Sequence, residues 1–297
     1  MVIVITGATS GIGSEALKRL AKVSDSKIYV GARGKARVVP TGVRVIPLEL
    51  SSLNSVRTFV DALKRELGGR KVDVLVLNAA IRATDPSHLS EDGFQLTFAT
   101  NHLAHYLLAR LLWPLMEDNG RIIITTSDTH DPEVVPFGPK TLNPMDLAYP
   151  NTNSPKGMRF YASTKLCNIL TARSLENQRR KESKDIHVIA FNPGLTGGTS
   201  LMGKQSPFMK ALVRIMIRPL FSIVSIFVPF LYVGKPERAG NILAELALGK
   251  IVPPAGKLYA SLVRGKLEFP DPSALALDNQ VSDLLWKQSA EMVDLTA

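Results

Sequence analysis

The 297-residue chain has 36 Lys and Arg against 26 Asp and Glu, a formal net charge of +10, and 45% hydrophobic residues, which excludes wholesale disorder. One cysteine, Cys167, excludes an internal disulfide and a cysteine-based zinc site, and no metal site is predicted. The basic charge comes without an aromatic-plus-basic stripe or a nucleic-acid motif, so we expect no nucleic-acid partner.

Short apolar segments alternate with helical patterns along the chain. Strands are predicted at residues 2–5, 27–30, 43–47, 72–77, 121–126, 186–191 and 257–260, and helices at 13–22, 53–67, 94–116, 160–180, 236–247 and 279–293. Strands that alternate with helices indicate βαβ units, and strands that are apolar at almost every position are buried on both faces of a parallel sheet. We therefore predict an α/β fold with a mostly parallel sheet.

No segment is typical of a secretory signal or an easy membrane span. Met1 is followed at once by the strand-like Val-Ile-Val-Ile, without a basic region and a cleavage site. The most apolar stretch, residues 219–234, is shorter than the roughly 20 residues of a transmembrane helix, and prolines interrupt it. We expect a cytoplasmic protein.

A glycine-rich loop, TGATSGIG at residues 6–13, follows the first predicted strand and leads into a helix. Glycines permit a tight turn and let the backbone approach a pyrophosphate, which the free N–H groups and the positive dipole end of the helix stabilise. The flanking strand and helix distinguish this pattern from an ordinary turn. The candidate cofactor-binding residues are Gly7, Thr9, Ser10, Gly11, Ile12 and Gly13.

The end of the second strand predicts which dinucleotide binds. An acidic residue there would hydrogen-bond the adenosine ribose of NAD, but this chain has Arg33, with Lys35 two residues later. A guanidinium pairs with a 2′-phosphate through charge-assisted hydrogen bonds. We therefore expect NADP(H), and the alternative interpretation is a solvated basic turn.

Tyr161 and Lys165 are the candidate acid/base pair. Their spacing of four residues puts both side chains on one face of a predicted helix. An unperturbed phenol titrates near pH ~10, too high for an efficient catalyst at neutral pH, and a neighbouring ammonium lowers that pKa. By itself such a pair is usually an exposed surface pair.

The surrounding sequence favours an active site. Ser127 follows the fifth predicted strand and Asn78-Ala79-Ala80 follow the fourth, and ligands of open α/β sheets bind at the carboxyl ends of strands. Asn101 lies inside a predicted helix, where Asn is a poor helix former. It indicates either a local backbone irregularity or a buried hydrogen-bonding role.

Together these motifs resemble the short-chain dehydrogenase/reductase family over essentially the whole chain. In order they are Thr6-Gly7-x-x-x-Gly11-x-Gly13, Asn78-Ala79-Ala80, Asn101, Ser127 and Tyr161-x-x-x-Lys165. The resemblance implies a single Rossmann-type domain over residues 1–297 with a doubly wound parallel sheet. It implies that Ser127 orients a carbonyl, that Tyr161 delivers the proton, and that Lys165 holds the nicotinamide ribose. It also implies that Asn101 positions a water linked to Lys165.

The same resemblance extends the predicted cofactor site. Glu49, followed by Leu50, stands where the family usually has Asp at the adenine. The segment after the sixth strand looks like the family's nicotinamide-side loop, with Thr196 or Thr199 as a contact. The further predicted cofactor contacts are Glu49, Leu50, Asn78, Ala79, Ala80, Tyr161, Lys165, Pro193, Gly194, Thr196 and Thr199.

Within the family, several passages are similar to the retinol dehydrogenase and light-dependent protochlorophyllide reductase branch. They are Gly93-Phe94, residues 100–105, Lys165-Leu166-Cys167-Asn168 and residues 285–289. That branch acts on large apolar substrates, which implies NADPH-dependent reduction of a bulky apolar aldehyde or ketone, or the reverse alcohol oxidation. The alternatives are a light-dependent double-bond reductase for a tetrapyrrole and a non-catalytic NADP(H)-binding sensor or scaffold. Asn78-Ala79-Ala80 is followed by Ile81-Arg82 and not by the tyrosine expected of a protochlorophyllide photoenzyme.

Residues 195–235 form a predicted helical, apolar substrate flap. Lys210, Arg214 and Arg218 share one helical face, with large apolar residues between and after them. The pattern suits a lid over a hydrophobic substrate, a weak peripheral membrane contact through residues 206–233, or ordinary packing, and the sequence does not choose among them. The oligomeric state is left open, because homo-oligomers that form through long helices are common in the family. Cys167 is expected to be a buried packing residue.

Overall fold

The computed structural model describes residues 1–34, 39–83, 85, 87–197 and 232–296. Its eight strands are β1 (Val2–Thr6), β2 (Lys27–Ala32), β3 (Arg44–Pro47), β4 (Val72–Leu77), β5 (Met116–Thr125), β6 (Ile186–Asn192), β7 (Tyr259–Val263) and β8 (Lys266–Glu268). They form one sheet in the order β3-β2-β1-β4-β5-β6-β7-β8, and only the β7–β8 hairpin is antiparallel. The predicted doubly wound parallel sheet is confirmed.

Helices cover both faces of the sheet, as strands buried on both faces require. They are α1 (Gly11–Leu20), α2 (Leu53–Leu67), α3 (Leu96–Phe98), α4 (Ala104–Leu112), α5 (Pro144–Ala148), α6 (Met158–Lys181), α7 (Pro236–Ala247), α8 (Ala274–Leu277) and α9 (Asn279–Met292). One hydrophobic cluster joins the sheet to α1 and α7, and the other joins it to α2, α4, α6 and α9. Helix α6, which carries Tyr161 and Lys165, belongs to the second cluster.

The residues at the two ends of α2 show how the local sequence determines where a helix begins and ends. The Ser52 hydroxyl accepts a hydrogen bond from the Ser55 N–H, which caps the first turn. Gly68 ends the helix in the left-handed conformation, with φ of 57°. Between these caps the apolar residues recur at helical spacing and are buried, which is why the predicted bounds agree with the structure.

Two local predictions differ from the structure, and a third agrees with it. The predicted helix 94–116 is divided into α3, a π turn over Ala99–Leu103, α4 and a 3₁₀ turn at Trp113–Leu115, and β5 already begins at Met116. Strand β8 was not predicted, because its three residues have no buried face to produce a pattern. The connection from β2 to β3 was predicted as a loop, and its described residues contain no helix.

The C-terminal helix α9 packs across α4 and α6. The Tyr106 hydroxyl of α4 donates to the Trp286 carbonyl oxygen at 3.1 Å, and the Ser174 hydroxyl of α6 lies 3.0 Å from that of Ser282. On the tail beyond α9, Arg110 of α4 donates to the Thr296 carbonyl oxygen at 2.6 Å. Helix α9 therefore covers part of the surface that these two long helices would otherwise present.

Most of the predicted flap, residues 198–231, lies outside the described residues, and so do Lys35 and Thr199. Within the described ranges no helix combines the length and the hydropathy needed to cross a bilayer. Cys167 is fully buried, as expected for a packing residue.

Buried histidines predict a loss of stability in mild acid. Burial lowers the pKa of His102 to about 3 and of His105 to about 4, and it also lowers the pKa of His130. Below pH ~6.5 these histidines are therefore protonated in the unfolded chain but neutral in the folded chain. The free energy of unfolding consequently decreases as the pH is lowered. Urea unfolding is expected to show a loss of roughly 2 to 3 kcal/mol between pH 6 and pH 5, after allowing for Asp128, whose raised pKa acts in the opposite direction.

The variant His88→Gln is the matched control, because His88 is exposed and the three buried histidines are retained. It is expected to keep the full pH dependence. A free energy of unfolding that stays constant from pH 7 to pH 5 would contradict the assignment of neutral, buried histidines.

Candidate active site

The loops that carry the predicted site residues meet at the carboxyl edge of the parallel sheet. Strands β1, β4, β5 and β6 end at Thr6, Leu77, Thr125 and Asn192. The Asn78 amide connects two of these ends, since its Nδ2 donates to the Gly7 carbonyl oxygen at 3.2 Å and its Oδ1 accepts from the Thr125 hydroxyl at 3.1 Å. The sequence prediction that these loops share one site agrees with this arrangement.

The glycine-rich loop is folded too tightly for side chains at two positions. Gly7 has φ of 66°, and a methyl group added at Gly13 would lie 2.2 Å from the Gly7 carbonyl oxygen and 2.6 Å from Asn78 Nδ2. Ser10 makes no side-chain cap, and no acidic residue lies in the first turn of α1. The open helix N-terminus and the close-packed backbone fit a pyrophosphate group.

Thr6 forms a hydrogen-bond centre beneath this loop. Its fully buried hydroxyl accepts from the N–H groups of Asn78 at 3.0 Å and Ala79 at 3.2 Å. It lies 3.0 Å from His105 Nε2, to which it donates, because His105 Nδ1 faces the Asn101 carbonyl oxygen at 3.3 Å. This one hydroxyl therefore ties β1 to the β4 loop and to α4.

Asn101 has both features that its position in the sequence suggested. It lies in the π turn Ala99–Leu103 and is completely buried. Its Oδ1 accepts from the Ile81 N–H at 2.8 Å, and its Nδ2 donates to the Ile81 carbonyl oxygen at 2.9 Å and to the Thr164 hydroxyl at 3.2 Å. Asn101 thus holds the loop after β4 against α6, next to Lys165.

Ser127 starts a short turn that contains three further polar residues, Asp128, Thr129 and His130. Its hydroxyl lies 3.2 Å from Asp128 Oδ1, to which it donates, and it accepts from the Thr129 N–H at 3.2 Å. Burial raises the pKa of Asp128, opposed by hydrogen bonds from Ser127 and Asn192. His130 Nδ1 donates to the Ser127 carbonyl oxygen at 2.8 Å while Nε2 accepts from the Ser273 N–H at 3.1 Å, which orients this turn.

Tyr161 and Lys165 face the same space on α6, as their spacing predicts. The Lys165 Nζ lies 5.6 Å from the centre of the Tyr161 ring and donates to the Thr125 carbonyl oxygen at 3.2 Å. Lys165 is 1% exposed, and this is the single hydrogen bond that its side chain makes among the described residues. Within the same part of the chain, the Tyr161 hydroxyl has no hydrogen-bond partner. Both groups therefore have donors available to a ligand.

The electrostatics of this pair differ from the expectation that Lys165 lowers the Tyr161 pKa. Burial raises the pKa of Tyr161 well above its ordinary value, the charge of Asp128 raises it further, and the charge of Arg82 opposes the shift. Burial also lowers the pKa of Lys165 from 10.5 to about 7. A buried ammonium loses charge readily, so in the protein alone Lys165 does not offset the effect of burial on the tyrosine.

The two ends of the predicted cofactor site are also at this edge. Arg33 Nε and Glu49 Oε2 lie 4.0 Å apart in an exposed ion pair, and Glu49 Oε1 accepts from the Ser51 N–H at 3.1 Å. After β6, Gly194 has φ of 68° and donates to Asn192 Oδ1 at 2.9 Å, while the Thr196 hydroxyl folds back onto the Pro193 and Gly194 carbonyl oxygens. Thr199 lies outside the described residues.

The sequence interpretation missed several polar residues of this region. Asn168 Nδ2 donates to the same Thr125 carbonyl oxygen as Lys165, at 3.0 Å. Its helical spacing from Tyr161 and Lys165 was the available signal. Asp128 directly follows Ser127, and Thr6 is a polar end to an apolar strand, but neither position has a periodicity that distinguishes it from an ordinary turn.

Comparisons with known proteins agree with this architecture. The family model described as short chain dehydrogenase matches residues 1–135. The chloroplastic protochlorophyllide reductase of Cucumis sativus is 30% identical over 99% of this chain and 78% of its own length. An uncharacterised protein from Mycobacterium paratuberculosis has a TM-score of 0.71 at 24% identity, covering 99% of this chain and 94% of its own. A Burkholderia cenocepacia short chain dehydrogenase in complex with NADP has a TM-score of 0.56 at 21% identity, covering 82% of this chain and 89% of its own. At these identities the two structures show the fold alone.

Proposed function

Because the chain belongs to the short-chain dehydrogenase/reductase family, in the branch that contains protochlorophyllide reductases, we propose that it reduces bulky apolar aldehydes or ketones with NADPH. The observation that carries this proposal is the Tyr161 hydroxyl, which lies at the carboxyl edge of the sheet with its donor unused among the described residues. Buried Lys165 is one helical turn away, and Ser127 follows the neighbouring strand. A sensor or scaffold would not need these three side chains together.

Tyr161 is proposed as the general acid of the reduction. When bound, NADP(H) supplies or accepts the hydride at the carbonyl carbon. The carbonyl oxygen then gains negative charge, and Tyr161 donates its proton to that oxygen. Because burial and Asp128 raise the pKa of Tyr161, the hydroxyl stays protonated at neutral pH and is in the form that can donate. In the reverse direction the phenolate would accept the proton of the alcohol.

Ser127 and Lys165 support this proton transfer. The Ser127 hydroxyl would exchange its hydrogen bond to Asp128 for one to the carbonyl oxygen and so orient the substrate. Lys165 has three N–H donors and uses one of them on Thr125, so the others are available to a ribose hydroxyl and to the tyrosine. Asn101 fixes the start of this helical turn through Thr164.

NADP(H) is the proposed cofactor, and the residues fit it. The open N-terminus of α1 and the tight glycine loop suit the pyrophosphate. Arg33 lies at the end of β2, where it would pair with a 2′-phosphate. The Burkholderia protein of the same fold was solved with NADP, which supports this choice.

An apolar substrate is proposed from the composition of the flap. Residues 198–231 follow the nicotinamide-side loop, are rich in large apolar side chains and contain no Asp or Glu. A segment of this composition is suited to cover a hydrophobic molecule while excluding water from the site. A weak peripheral membrane contact through residues 206–233 is compatible with the same composition.

The test is an NADPH-oxidation screen with retinal, other polyenals, aromatic aldehydes and steroid ketones. We expect turnover with at least one bulky apolar carbonyl compound and a preference for NADPH over NADH. If the protein binds NADPH but oxidises it with none of these compounds, the proposal is wrong.

Light-dependent reduction of a tetrapyrrole double bond is the second candidate. The similarity to the cucumber protochlorophyllide reductase favours it, while the absence of the expected tyrosine from Ile81-Arg82 argues against it. Incubation with protochlorophyllide and NADPH, in the dark and under illumination, decides the matter. Absence of a product that depends on light eliminates this candidate.

A further inference from the structure

Arg82 lies beside Tyr161 on the loop after β4. The preceding residue, Ile81, is held at both its N–H and its carbonyl oxygen by Asn101, so the backbone that leads into Arg82 is fixed. Arg82 Nη1 contacts the sulfur of Met158 at 2.9 Å. Met158 begins α6 and lies three residues before Tyr161, so the two share a helix face. The guanidinium therefore lies on the Tyr161 side of α6.

Arg82 has no carboxylate side chain with which to pair in this chain. Among the described residues no Asp or Glu oxygen lies within 4.0 Å of it. The remaining residues, 35–38, 84, 86, 198–231 and 297, include no Asp or Glu. A thioether is a weak acceptor, whereas a guanidinium has five N–H donors in a fork that matches a carboxylate. The half-buried Arg82 is thus a strong donor without a strong acceptor.

The charges on the two sides of Tyr161 have opposite signs. Asp128 lies on the β5 side and Arg82 on the β4 side, and both act on the Tyr161 hydroxyl. The negative charge of Asp128 would repel a phosphate with two charges more strongly than a ligand with one. The acceptor that fits this site is therefore a carboxylate.

We propose that Arg82 binds a carboxylate of the substrate, so that this protein acts on an apolar carbonyl compound that also bears a carboxylic acid. The inference rests on the proposed reductase function and adds a specificity-determining residue to it. The guanidinium would hold the acid on the β4 side while the carbonyl oxygen faces Tyr161 and Ser127. Bidentate pairing would fix the orientation as well as the affinity.

The test compares 6-formyl-2-naphthoate with its methyl ester, which has the same aromatic body without the charge. For the NADPH-loaded wild-type protein we expect kcat/KM to be at least tenfold higher for the acid. Arg82→Met is expected to bring the acid-to-ester ratio of kcat/KM to about one, whatever its effect on the ester alone, and Arg82→Lys to retain part of the preference. Arg65→Met is the matched control, because Arg65 is an exposed residue of α2 and its loss changes the net charge equally. It should keep the full preference.

A binding measurement separates this inference from the proposed function. The quenching of bound NADPH fluorescence by 2-naphthoate, which has no carbonyl to reduce, is expected to give a dissociation constant at least tenfold lower in wild type than in Arg82→Met. That result without any aldehyde reduction would keep the carboxylate site and reject the reductase. Equal acid-to-ester ratios in wild type and Arg82→Met, equal or absent naphthoate binding, or an effect of the variant on NADPH binding alone would overturn the inference.

Discussion

Replacing Tyr161 with phenylalanine is expected to lower kcat for carbonyl reduction by about 10²- to 10⁴-fold, the usual contribution of a positioned general acid. The variant removes only the hydroxyl oxygen and keeps the buried ring that packs within α6. Since no described residue hydrogen-bonds to that hydroxyl, the free energy of unfolding should change little. The dissociation constant for NADPH should also stay close to that of the wild type.

Tyr149→Phe is the matched control for this experiment. Tyr149 is half exposed at the end of α5 and its ring packs against Phe94, so the loss of its hydroxyl is expected to leave turnover unchanged. Steady-state NADPH oxidation and NADPH fluorescence titration measure the two quantities separately. Turnover of Tyr161→Phe within tenfold of the wild type would contradict its assignment as the acid.

Replacing Thr6 with valine is expected to lower the free energy of unfolding by about 3 kcal/mol or more. The shape of the side chain is kept, but the N–H groups of Asn78 and Ala79 lose their acceptor and His105 loses its donor. Each buried polar group left without a partner costs about 1 to 3 kcal/mol. That loss is large against the 5 to 15 kcal/mol of a typical protein. NADPH binding should weaken as well, because the loop after β4 borders the glycine-rich loop.

The variant Thr6→Ser separates the hydroxyl from the methyl group. It keeps all three hydrogen bonds and loses one buried methyl, a change that costs about 1 kcal/mol. Urea unfolding of the two variants at pH 7 measures the difference. If Thr6→Val is as stable as Thr6→Ser, the hydroxyl does not hold β1 to the loop after β4 and to α4.

The core elements of the sheet could be predicted because their patterns are local. Strands β1 and β4 are apolar at nearly every position, and α2 has a cap, a regular apolar stripe and a glycine stop. The division of the helix around Asn101 could be anticipated only in part. Asn is a poor helix former, but the partner that stabilises the π turn, the Ile81 backbone, is 20 residues away.

The residues of the candidate site likewise divide into those that have a local sequence signal and those that do not. The glycine loop, Ser127 and the Tyr161–Lys165 pair were found from the sequence, because each has a fixed spacing beside a strand or within a helix. Thr6, Asp128 and Arg82 were not assigned roles, since their importance depends on neighbours from other elements. The pKa of Tyr161 was expected to fall and instead rises, because burial of both groups outweighs their attraction.

The sequence alone therefore determined that this protein is an α/β domain of the short-chain dehydrogenase/reductase type, and it predicted which residues would border the reacting atoms. Only the tertiary structure decided how those residues are held and charged. Hydrogen bonds from Thr6, Asn78 and Asn101 join loops that are far apart in the chain, and Arg82 and Asp128 act on Tyr161 with opposite charges. Helical and strand periods report burial one element at a time, whereas hydrogen bonds, desolvation and electric fields depend on which elements meet.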